Sequence, residues 1–462
     1  MAFEIRVFRQ SELGNSTFLV FDPESLEGVV IDPARDIDQY LEAADSAAVQ
    51  LTWALETHIH NDFVSGSREL VAARQVRNGA SAFADYRFPF HALADQDLIK
   101  VGSFVIRVLE TPGHTPEHLS YLLIDSDGQM KALFSGGALM VGTAARTDLF
   151  GPALSWRLAH QLEKSIKGRI LALPDEVIVY PTHGGGSFCA VGAGEDIRTT
   201  IAKEKHSNPL ALAGSSRKFV ERSLVGGEYP RYYSTMRSIN ISGAPLIGSE
   251  FSGVAGLGLK DVDDWIARGA AMLDIRPAEQ YRAEHIPASI AIGADGNLSG
   301  WVGWLLERDT PIVLVSSPGK QGQLEIKEAQ RQLLRIGYDR IVGYLDGGIE
   351  TWKADGRDSS SFATTTASKL AEYLDNDELL VVVDVRERSE WHAGHIPGSV
   401  NIPVHEISTS KSDLPFQVPL FVHCGHDYRG TLASSLLERS GYRDLTVVAD
   451  GWDGWKQMEG LE

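Results

Sequence analysis

The residue best placed to act as a nucleophile is Cys424, one of two cysteines in the 462-residue chain. The apolar run VPLFVHC ends in this cysteine, the polar residues GHDYRG follow, and TLASSLLERSG then has apolar residues at helical spacing. A cysteine between a strand and a helix faces backbone N–H groups and the positive end of the helix, which lower a thiol pKa and favour an anionic sulfur. We therefore predict that Cys424 is a catalytic nucleophile and that Arg429, at the far end of the loop, adds positive charge beside it.

The second cysteine, Cys189, lies in GGGSFCAVG and lacks this strand–loop–helix context. A buried free cysteine often behaves as a small hydrophobic residue. We predict that role for Cys189, whereas the polar residues after Cys424 argue against it there.

Histidines form a second group of residues suited to chemistry. They occur in ETHIHNDFVSG (56–66), ETPGHTPEH (110–118) and YPTHGGG (180–186), and each segment follows an apolar run typical of a buried strand. Histidines at the ends of several strands are a common way for a fold to collect metal ligands from distant parts of the sequence. These three segments therefore predict a metal site.

The segments that must position these residues fall into three parts. Strand-like runs that end in polar loops fill the first part, and an internal repeat fills the rest: MLDIRPAEQYRAEHIPASI from Met272 recurs as VVDVRERSEWHAGHIPGSV from Val382. The Ser/Thr-rich stretch GRDSSSFATTTAS between the copies is predicted to be a linker. We predict domains at residues 1–250, 255–357 and 365–462, the last two being α/β domains of one kind.

Composition narrows the possible partners. The formal net charge is −19 at pH 7, which argues against a nucleic acid or an anionic membrane as partner, because both require a basic face. The first twenty residues do not have the pattern of a signal peptide, and no apolar run reaches the length of a membrane span. A cytoplasmic location is the expectation, and a homo-oligomer is left open.

The segment from 365 to 460 resembles the rhodanese (thiosulfate sulfurtransferase) family through DVRERSEWHAGHIPGSVNIP, HCGHDYRG and DGWDGWK. The resemblance implies that Cys424 takes a sulfane sulfur from thiosulfate or a thiol persulfide, holds it as a persulfide and passes it to an acceptor. The six-residue loop from Cys424 to Arg429 has the length of sulfurtransferases rather than of related phosphatases. The first copy has Ser317 in VLVSSPGKQGQ where the cysteine should be, and is predicted to be non-catalytic.

The segment from 3 to 240 resembles the metallo-β-lactamase superfamily, whose motif is His-x-His-x-Asp-His, and in particular its persulfide dioxygenase branch. The resemblance implies an αββα sandwich followed by the two rhodanese-like α/β domains, and a glutathione persulfide or a similar thiol as substrate. Phe63 replaces the last histidine of the motif, and Gly137 stands where the family has a metal-binding aspartate. The remaining set, His58, His60 and His114, is predicted to hold one ion, Fe(II) or Zn(II), with Asp62 as a substitute carboxylate and His183 nearby.

Three functions remain open for the first domain at this stage. It is a persulfide dioxygenase, a thioester hydrolase of the glyoxalase II type, or a metal-free module that presents a thiol substrate to the rhodanese domain. The absence of the aspartate at Gly137 counts against both metal-dependent reactions.

Overall fold

The structure, a computed structural model, separates the chain into two compact units. One contains residues 1–252 with 334–337, and the other contains 253–333 with 338–462. The domain ends predicted at residues 1, 250 and 462 lie outside the described residues. The described ranges are 3–189, 192–194, 196–224, 227–248, 253–376, 378–410 and 414–460.

Two six-stranded sheets form the centre of the first unit. The first sheet has the order β1-β2-β3-β4-β5-β6, with strands Glu4–Gln10, Asn15–Phe21, Glu27–Ile31, Gln50–Leu55, Arg77–Ser81 and His91–Leu93. The second has the order β12-β11-β10-β9-β8-β7, and its strands β7 to β12 are Leu98–Val101, Phe104–Glu110, Leu119–Ile124, Met130–Gly136, Ile178–Pro181 and Thr199–Thr200.

Helices cover the outer faces of both sheets because the strands are apolar on both sides. In β2, Phe18 and Val20 pack into the core between the sheets, whereas Leu19 and Phe21 pack against the helices. The predicted αββα sandwich is therefore confirmed. Its helices α1 to α6 are Asp38–Ser46, Ser67–Arg74, Pro152–Ser165, Ile201–Ser207, Ser216–Ser223 and Tyr233–Ser242, and a π-helical turn, Ile166–Ile170, extends α3.

The second unit contains the two copies of the repeat. Each copy has a parallel five-stranded sheet, with orders β13-β17-β16-β14-β15 and β18-β22-β21-β19-β20, so the connectivity is the same in both. The strands β13 to β22 are Gly256–Leu257, Ala271–Asp274, Ile290–Ala291, Ile312–Val315, Ile341–Leu345, Ala363–Thr365, Val381–Asp384, Val400–Asn401, Leu420–His423 and Leu445–Val448. The stretch predicted as a linker thus contains a strand, β18, which pairs with β22.

Helices connect the parallel strands, because parallel neighbours need a long crossover connection. They are α7 to α11 in the first copy, Leu259–Ala267, Ala278–Ala283, Leu298–Leu305, Gly319–Arg335 and Gly348–Ala354. In the second copy α12 to α16 are Ala367–Asp375, Arg388–Ala393, Ile407–Ser410, Tyr428–Arg439 and Gly451–Glu459, with a 3₁₀ turn at Val404–Glu406. Within the described ranges, no helix has the length and apolarity needed to span a bilayer.

Candidate functional site

The histidines of the sandwich lie in loops that follow three of its strands. His58 and His60 follow β4, His114 follows β8 and His183 follows β11. All four side chains are buried. The strand-end segments recognised in the sequence therefore do meet in space.

Three of these histidines converge. One ligand atom each from His58, His114 and His183 lies within 4.8 Å of the others, and the Nε2 atoms of His58 and His183 are 3.3 Å apart. His60 belongs to two other groups, one with Asp62 and His183 and one with Asp32 and Glu56. The structure thus groups His58 and His114 with His183, while the ring of His60, 4.2 Å from that of His58 between centroids, belongs to the other two groups.

Hydrogen bonds on the far side of two rings direct their free nitrogens into the cluster. The Nδ1 atom of His114 donates to the carbonyl oxygen of Arg146 at 2.7 Å. The Nδ1 atom of His183 lies 2.9 Å from the Asn15 amide oxygen and 3.1 Å from Oδ2 of Asp62. Because a neutral imidazole has one donor and one acceptor nitrogen, both Nε2 atoms carry lone pairs.

His58 follows the same pattern through a hydroxyl group. The Thr57 hydroxyl donates to Oδ2 of Asp32 at 2.7 Å, so it accepts from Nδ1 of His58 at 2.9 Å. The Nε2 lone pair of His58 is left facing the cluster. Metal-binding histidines in proteins usually donate their second N–H to such an acceptor.

Electrostatics also favour neutral imidazoles in this cluster. Burial lowers the pKa of His114 to about 3, with a further contribution from His183. Burial and the neighbouring histidines hold the pKa of His58 well below its usual range. The Nε2 atom of His114 is buried and has no hydrogen-bond partner among the described residues. These three side chains therefore fit a single metal ion, since one ligand atom of each faces the others and the low pKa values keep His58 and His114 neutral.

His60 has different surroundings. Its Nε2 atom is 3.3 Å from Asp32 and 3.3 Å from Glu56, and its ring packs on Phe63 with centroids 4.1 Å apart. Burial lowers the pKa of His60, but the charges of Asp32 and Glu56 outweigh it and raise the pKa to about 10. His60 is therefore a cation between two carboxylates, and Phe63 occupies the space beside its ring.

The position of Gly137 is filled by its neighbours. A Cβ atom there would lie 2.7 Å from Cδ2 of His114 and 2.9 Å from Cβ of Ala145. The Gly137 N–H donates to Nε2 of His118, whose ring stacks on that of His58 at 5.0 Å. An aspartate at this position would therefore clash with the His114 ring, which occupies the space of its Cβ atom.

Helix α6 holds the motif loop in place. The Asn240 side chain donates to the carbonyl oxygens of His60 and Phe63 at 2.9 and 2.8 Å, and the Tyr232 hydroxyl donates to that of Asp62 at 3.0 Å. These bonds satisfy three buried carbonyl groups of an irregular loop. No local sequence pattern indicates that residues 170 to 180 positions away would hold this loop.

The Cys424 loop lies between β21 and α15, as predicted. Cys424 is buried, with 1% of its surface exposed, and the backbone N–H groups of His426, Arg429 and Gly430 favour its anionic form. Burial raises the pKa of the thiol, and the charge of Arg429 and the N–H groups oppose that rise without cancelling it. The expected lowering of the pKa is therefore wrong for this state, because burial outweighs the loop's positive potential.

Arg429 is fixed beside the thiol by a carboxylate. Its two terminal nitrogens donate to Glu390 at 2.6 and 2.8 Å in a bidentate pair. Burial would lower the pKa of Arg429, but Glu390 raises it above its usual range. Arg429 therefore stays charged near the sulfur.

The DGW motif of the second copy (450–452) packs against the backbone of Cys424. The Trp452 N–H donates to the Cys424 carbonyl oxygen at 2.8 Å. Gly451 has φ of +48°, and a Cβ there would lie 2.3 Å from the same oxygen. Glycine is required at this position by both its backbone angle and the close approach.

The first copy has a carboxylate in the corresponding loop. Asp274 pairs with Val315 as Asp384 pairs with His423, so Ser316, rather than the predicted Ser317, occupies the position of Cys424. The Ser317 hydroxyl and backbone N–H each donate to Glu325 at 2.8 Å, and Glu325 is buried on α10. A fixed carboxylate therefore lies next to the position of the sulfur, in a loop where an anionic sulfur would need positive potential. The other cysteine, Cys189, is fully buried with Sγ 3.8 Å from the Tyr233 hydroxyl, and burial raises its pKa far above the usual range.

Comparison with known proteins agrees with this architecture. The metallo-beta-lactamase superfamily model matches residues 12–183, and the rhodanese-like domain model matches 259–355 and 366–458. The persulfide dioxygenase ETHE1 of Mus musculus is 30% identical over 211 residues, which cover 44% of this chain and 74% of that protein. The chain belongs to the metallo-β-lactamase superfamily. It also carries two rhodanese-like domains, so both predicted resemblances are confirmed.

Other members of the metallo-β-lactamase superfamily show similar likeness. A hydroxyacylglutathione hydrolase of Rhodopseudomonas palustris is 35% identical over 210 residues, covering 43% of this chain and 75% of that protein. The crystal structure of a metallo-beta-lactamase from Staphylococcus aureus has a TM-score of 0.65 and 31% identity, and it covers 74% of this chain and 99% of that one. The fold class predicted from the sequence is therefore confirmed.

Proposed function

We propose that this chain is an enzyme of sulfur metabolism in which Cys424 accepts a sulfane sulfur and transfers it to a nucleophilic acceptor. The observation that carries the proposal is the position of Cys424 between β21 and the N-terminus of α15, where the backbone N–H groups of His426, Arg429 and Gly430 and the charge of Arg429 favour its anionic form. Such donors stabilise a negative charge in a site shielded from water. The rhodanese-like match over 366–458 contains the whole loop.

The transfer proceeds in two displacements at sulfur. The thiol of Cys424 loses its proton, and the thiolate attacks the outer sulfur of thiosulfate or of a thiol persulfide. The S–S bond of the donor breaks and releases sulfite or a thiolate, leaving a persulfide on Cys424. The acceptor, cyanide or a thiolate, then attacks the outer sulfur and the Cys424 thiolate leaves.

A steady-state assay with thiosulfate and cyanide tests this proposal. Cys424→Ser should abolish thiocyanate formation, whereas Cys189→Ser should retain the wild-type rate. Mass spectrometry after incubation with thiosulfate should find one added sulfur on the Cys424 peptide and none on the Cys189 or Ser317 peptides. Sulfur found on Cys189, or activity retained in Cys424→Ser, would contradict the assignment.

We further propose that the sandwich holds one metal ion through His58, His114 and His183. The three converging Nε2 lone pairs support this set. None of the three ligands is a carboxylate, and three imidazoles are typical of zinc, whereas Fe(II) oxygenases use two histidines and a carboxylate. We therefore propose zinc. When bound, it would supply Lewis-acid polarisation of a carbonyl group.

The names of the relatives suggest a glutathione-type thiol as the substrate of this domain. They include a persulfide dioxygenase and a hydroxyacylglutathione hydrolase. Metal analysis combined with two assays separates the alternatives: oxygen uptake with glutathione persulfide and cleavage of a glutathione thioester. We expect bound zinc and no oxygen uptake. Tightly bound iron with robust oxygen uptake would show that the site is a dioxygenase after all.

A further inference from the structure

The cysteine-less rhodanese-like domain contacts the catalytic loop of its neighbour through Arg282. Both domains belong to the second compact unit. Arg282, on α8 of the first copy, forms an ion pair with Asp427 and donates to the Thr431 hydroxyl at 2.9 Å. Arg282 is 7% exposed. One side chain therefore binds both the middle of the Cys424 loop and the first turn of α15.

Asp427 is the residue at which the loop turns. Its φ of +47° and ψ of −70° lie in a region that non-glycine residues rarely adopt. Its own N–H donates away from the sulfur, to the Ala449 carbonyl oxygen at 2.8 Å. The N–H groups that favour the Cys424 thiolate come from residues on either side, His426 and Arg429, and from Gly430. The orientation of these donors thus depends on the unusual conformation of Asp427.

The next loop residue, Tyr428, also lies against the first rhodanese-like domain. The ring of Tyr428 lies 6.5 Å from that of Trp301 between centroids, and a Cβ at Gly296 would lie 3.4 Å from the Tyr428 ring. Burial raises the pKa of the Tyr428 hydroxyl far above its usual range. Two successive loop residues therefore lie against the neighbouring rhodanese-like domain, and Asp427 is the one that it binds directly.

The repeat provides an internal comparison. Aligning Asp274 with Asp384 places Arg282 opposite His392 of the catalytic copy. His392 is exposed, and its Nδ1 atom bonds to the carbonyl oxygen of Arg388 in its own helix. At equivalent positions, His392 thus bonds within its own helix, whereas Arg282 bonds to the catalytic loop of the neighbouring domain.

We propose that Arg282 is a positioning residue for sulfur transfer: it holds Asp427 so that the loop N–H groups point at the sulfur of Cys424. The inference rests on the proposed sulfurtransferase function. It assigns the cysteine-less domain a part in catalysis that requires no nucleophile of its own. The substrate class is unchanged, a thiosulfate or thiol persulfide donor.

The test compares full-length variants in the thiosulfate–cyanide assay. Arg282→Ala should lower kcat by on the order of tenfold to a hundredfold, because a small misplacement of catalytic donors has effects of that size. The KM for thiosulfate should change less than kcat, and Arg282→Lys should recover part of the rate by keeping the charge. Asp427→Asn should give a similar loss, and the two changes together should not be additive.

Glu438→Gln is the matched control. Glu438 lies at the other end of α15 and also contacts the first rhodanese-like domain. Its Oε2 atom is 3.2 Å from Nε2 of His285. This variant should lower thermal stability but leave kcat unchanged. A wild-type kcat in Arg282→Ala, or an equal loss of kcat in Glu438→Gln, would show that the Arg282 contact is only domain packing.

Hydrogen exchange distinguishes failure of this inference from failure of the proposed function. Amides of residues 426–430 should exchange faster by about tenfold in Arg282→Ala and at the wild-type rate in Glu438→Gln, because the loop opens locally. If wild-type protein transfers no sulfur, the proposed function fails, yet this measurement still reports whether Arg282 holds the loop. Unchanged exchange in Arg282→Ala overturns the inference.

Discussion

Glu325 accepts two hydrogen bonds from Ser317, one from its hydroxyl and one from its backbone N–H, both 2.8 Å long. The carboxylate is therefore fixed inside the loop, and its charge opposes any anion there. The first rhodanese-like domain is therefore unsuited to sulfur transfer for two reasons, the missing thiol and the carboxylate.

The first prediction follows from this pair. In a Cys424→Ser background, Ser316→Cys, at the position equivalent to Cys424, should alone give no sulfurtransferase activity, because Glu325 in the same loop raises the pKa of the introduced thiol. Adding Glu325→Gln should lower that pKa and increase the rate of alkylation by iodoacetamide at pH 7.5 by about tenfold, which corresponds to one pKa unit. Equal alkylation rates in the two variants would show that Glu325 has no influence on the loop.

The second prediction separates the two candidate ligand sets of the sandwich. His183→Ala should remove most of the bound metal, as should the double change His58→Ala with His114→Ala, because each deletes nitrogens of the converging cluster. His60→Gln should keep metal, since His60 is paired with Asp32 and Glu56. Metal content per chain is the measurement. Metal lost in the His60 variant and kept in the His183 variant would favour the set predicted from the sequence.

The third prediction concerns Gly137→Asp, the change that would restore the family's carboxylate. The His114 ring and Ala145 leave no room for a side chain, so we expect destabilisation of about 1–3 kcal/mol, as for other overpacked cores, and no gain in metal affinity. Thermal unfolding and metal titration are the measurements. Gly137→Ala is the control, because it adds the clash without the charge. Higher metal affinity at wild-type stability would contradict this account.

The fourth prediction is the pH dependence of Cys424. Only the thiolate reacts, and burial raises the thiol pKa, so the alkylation rate should rise about tenfold per pH unit up to at least pH 8.5, the ordinary cysteine value. The charge of Arg429 lowers the thiol pKa, so its removal in Arg429→Gln should raise that pKa. The curve of alkylation rate against pH should then shift to higher pH. The rates are measured in a Cys189→Ser background. A plateau below pH 7 would mean that the loop lowers the pKa.

The sequence predicted much of the fold because its signals are local or repeated. Apolar runs ending in polar loops gave the strands of the sandwich, and the repeated Asp-x-Arg and His-Ile-Pro elements gave two domains of one kind. The misread segment is Ala363–Thr365, where serines and threonines suggested a linker. Its pairing with β22 depends on a strand about 80 residues later, which no local pattern reveals.

The candidate sites were predictable in their residue types but not in their orientation. His183 was noticed in its motif, yet its place in the cluster depends on Asn15 and Asp62, which hold its Nδ1 side. The pKa of Cys424 was predicted with the wrong sign because the loop pattern shows the N–H donors but not the packing that buries the sulfur. No sequence pattern indicated a role for Arg282, since its partner Asp427 is 145 residues away.

The connection between the rhodanese-like domains is short, running from the end of α11 at Ala354 to the start of β18 at Ala363. Ser360 within it exchanges backbone hydrogen bonds with His285 at 2.8 and 2.9 Å. A tether of this length confines each domain to an effective concentration of about a millimolar around the other, and little chain entropy is lost when they meet. Asp427 therefore encounters Arg282 at the same frequency in dilute and in concentrated solution, so the pairing of the two domains is independent of how much protein a cell makes.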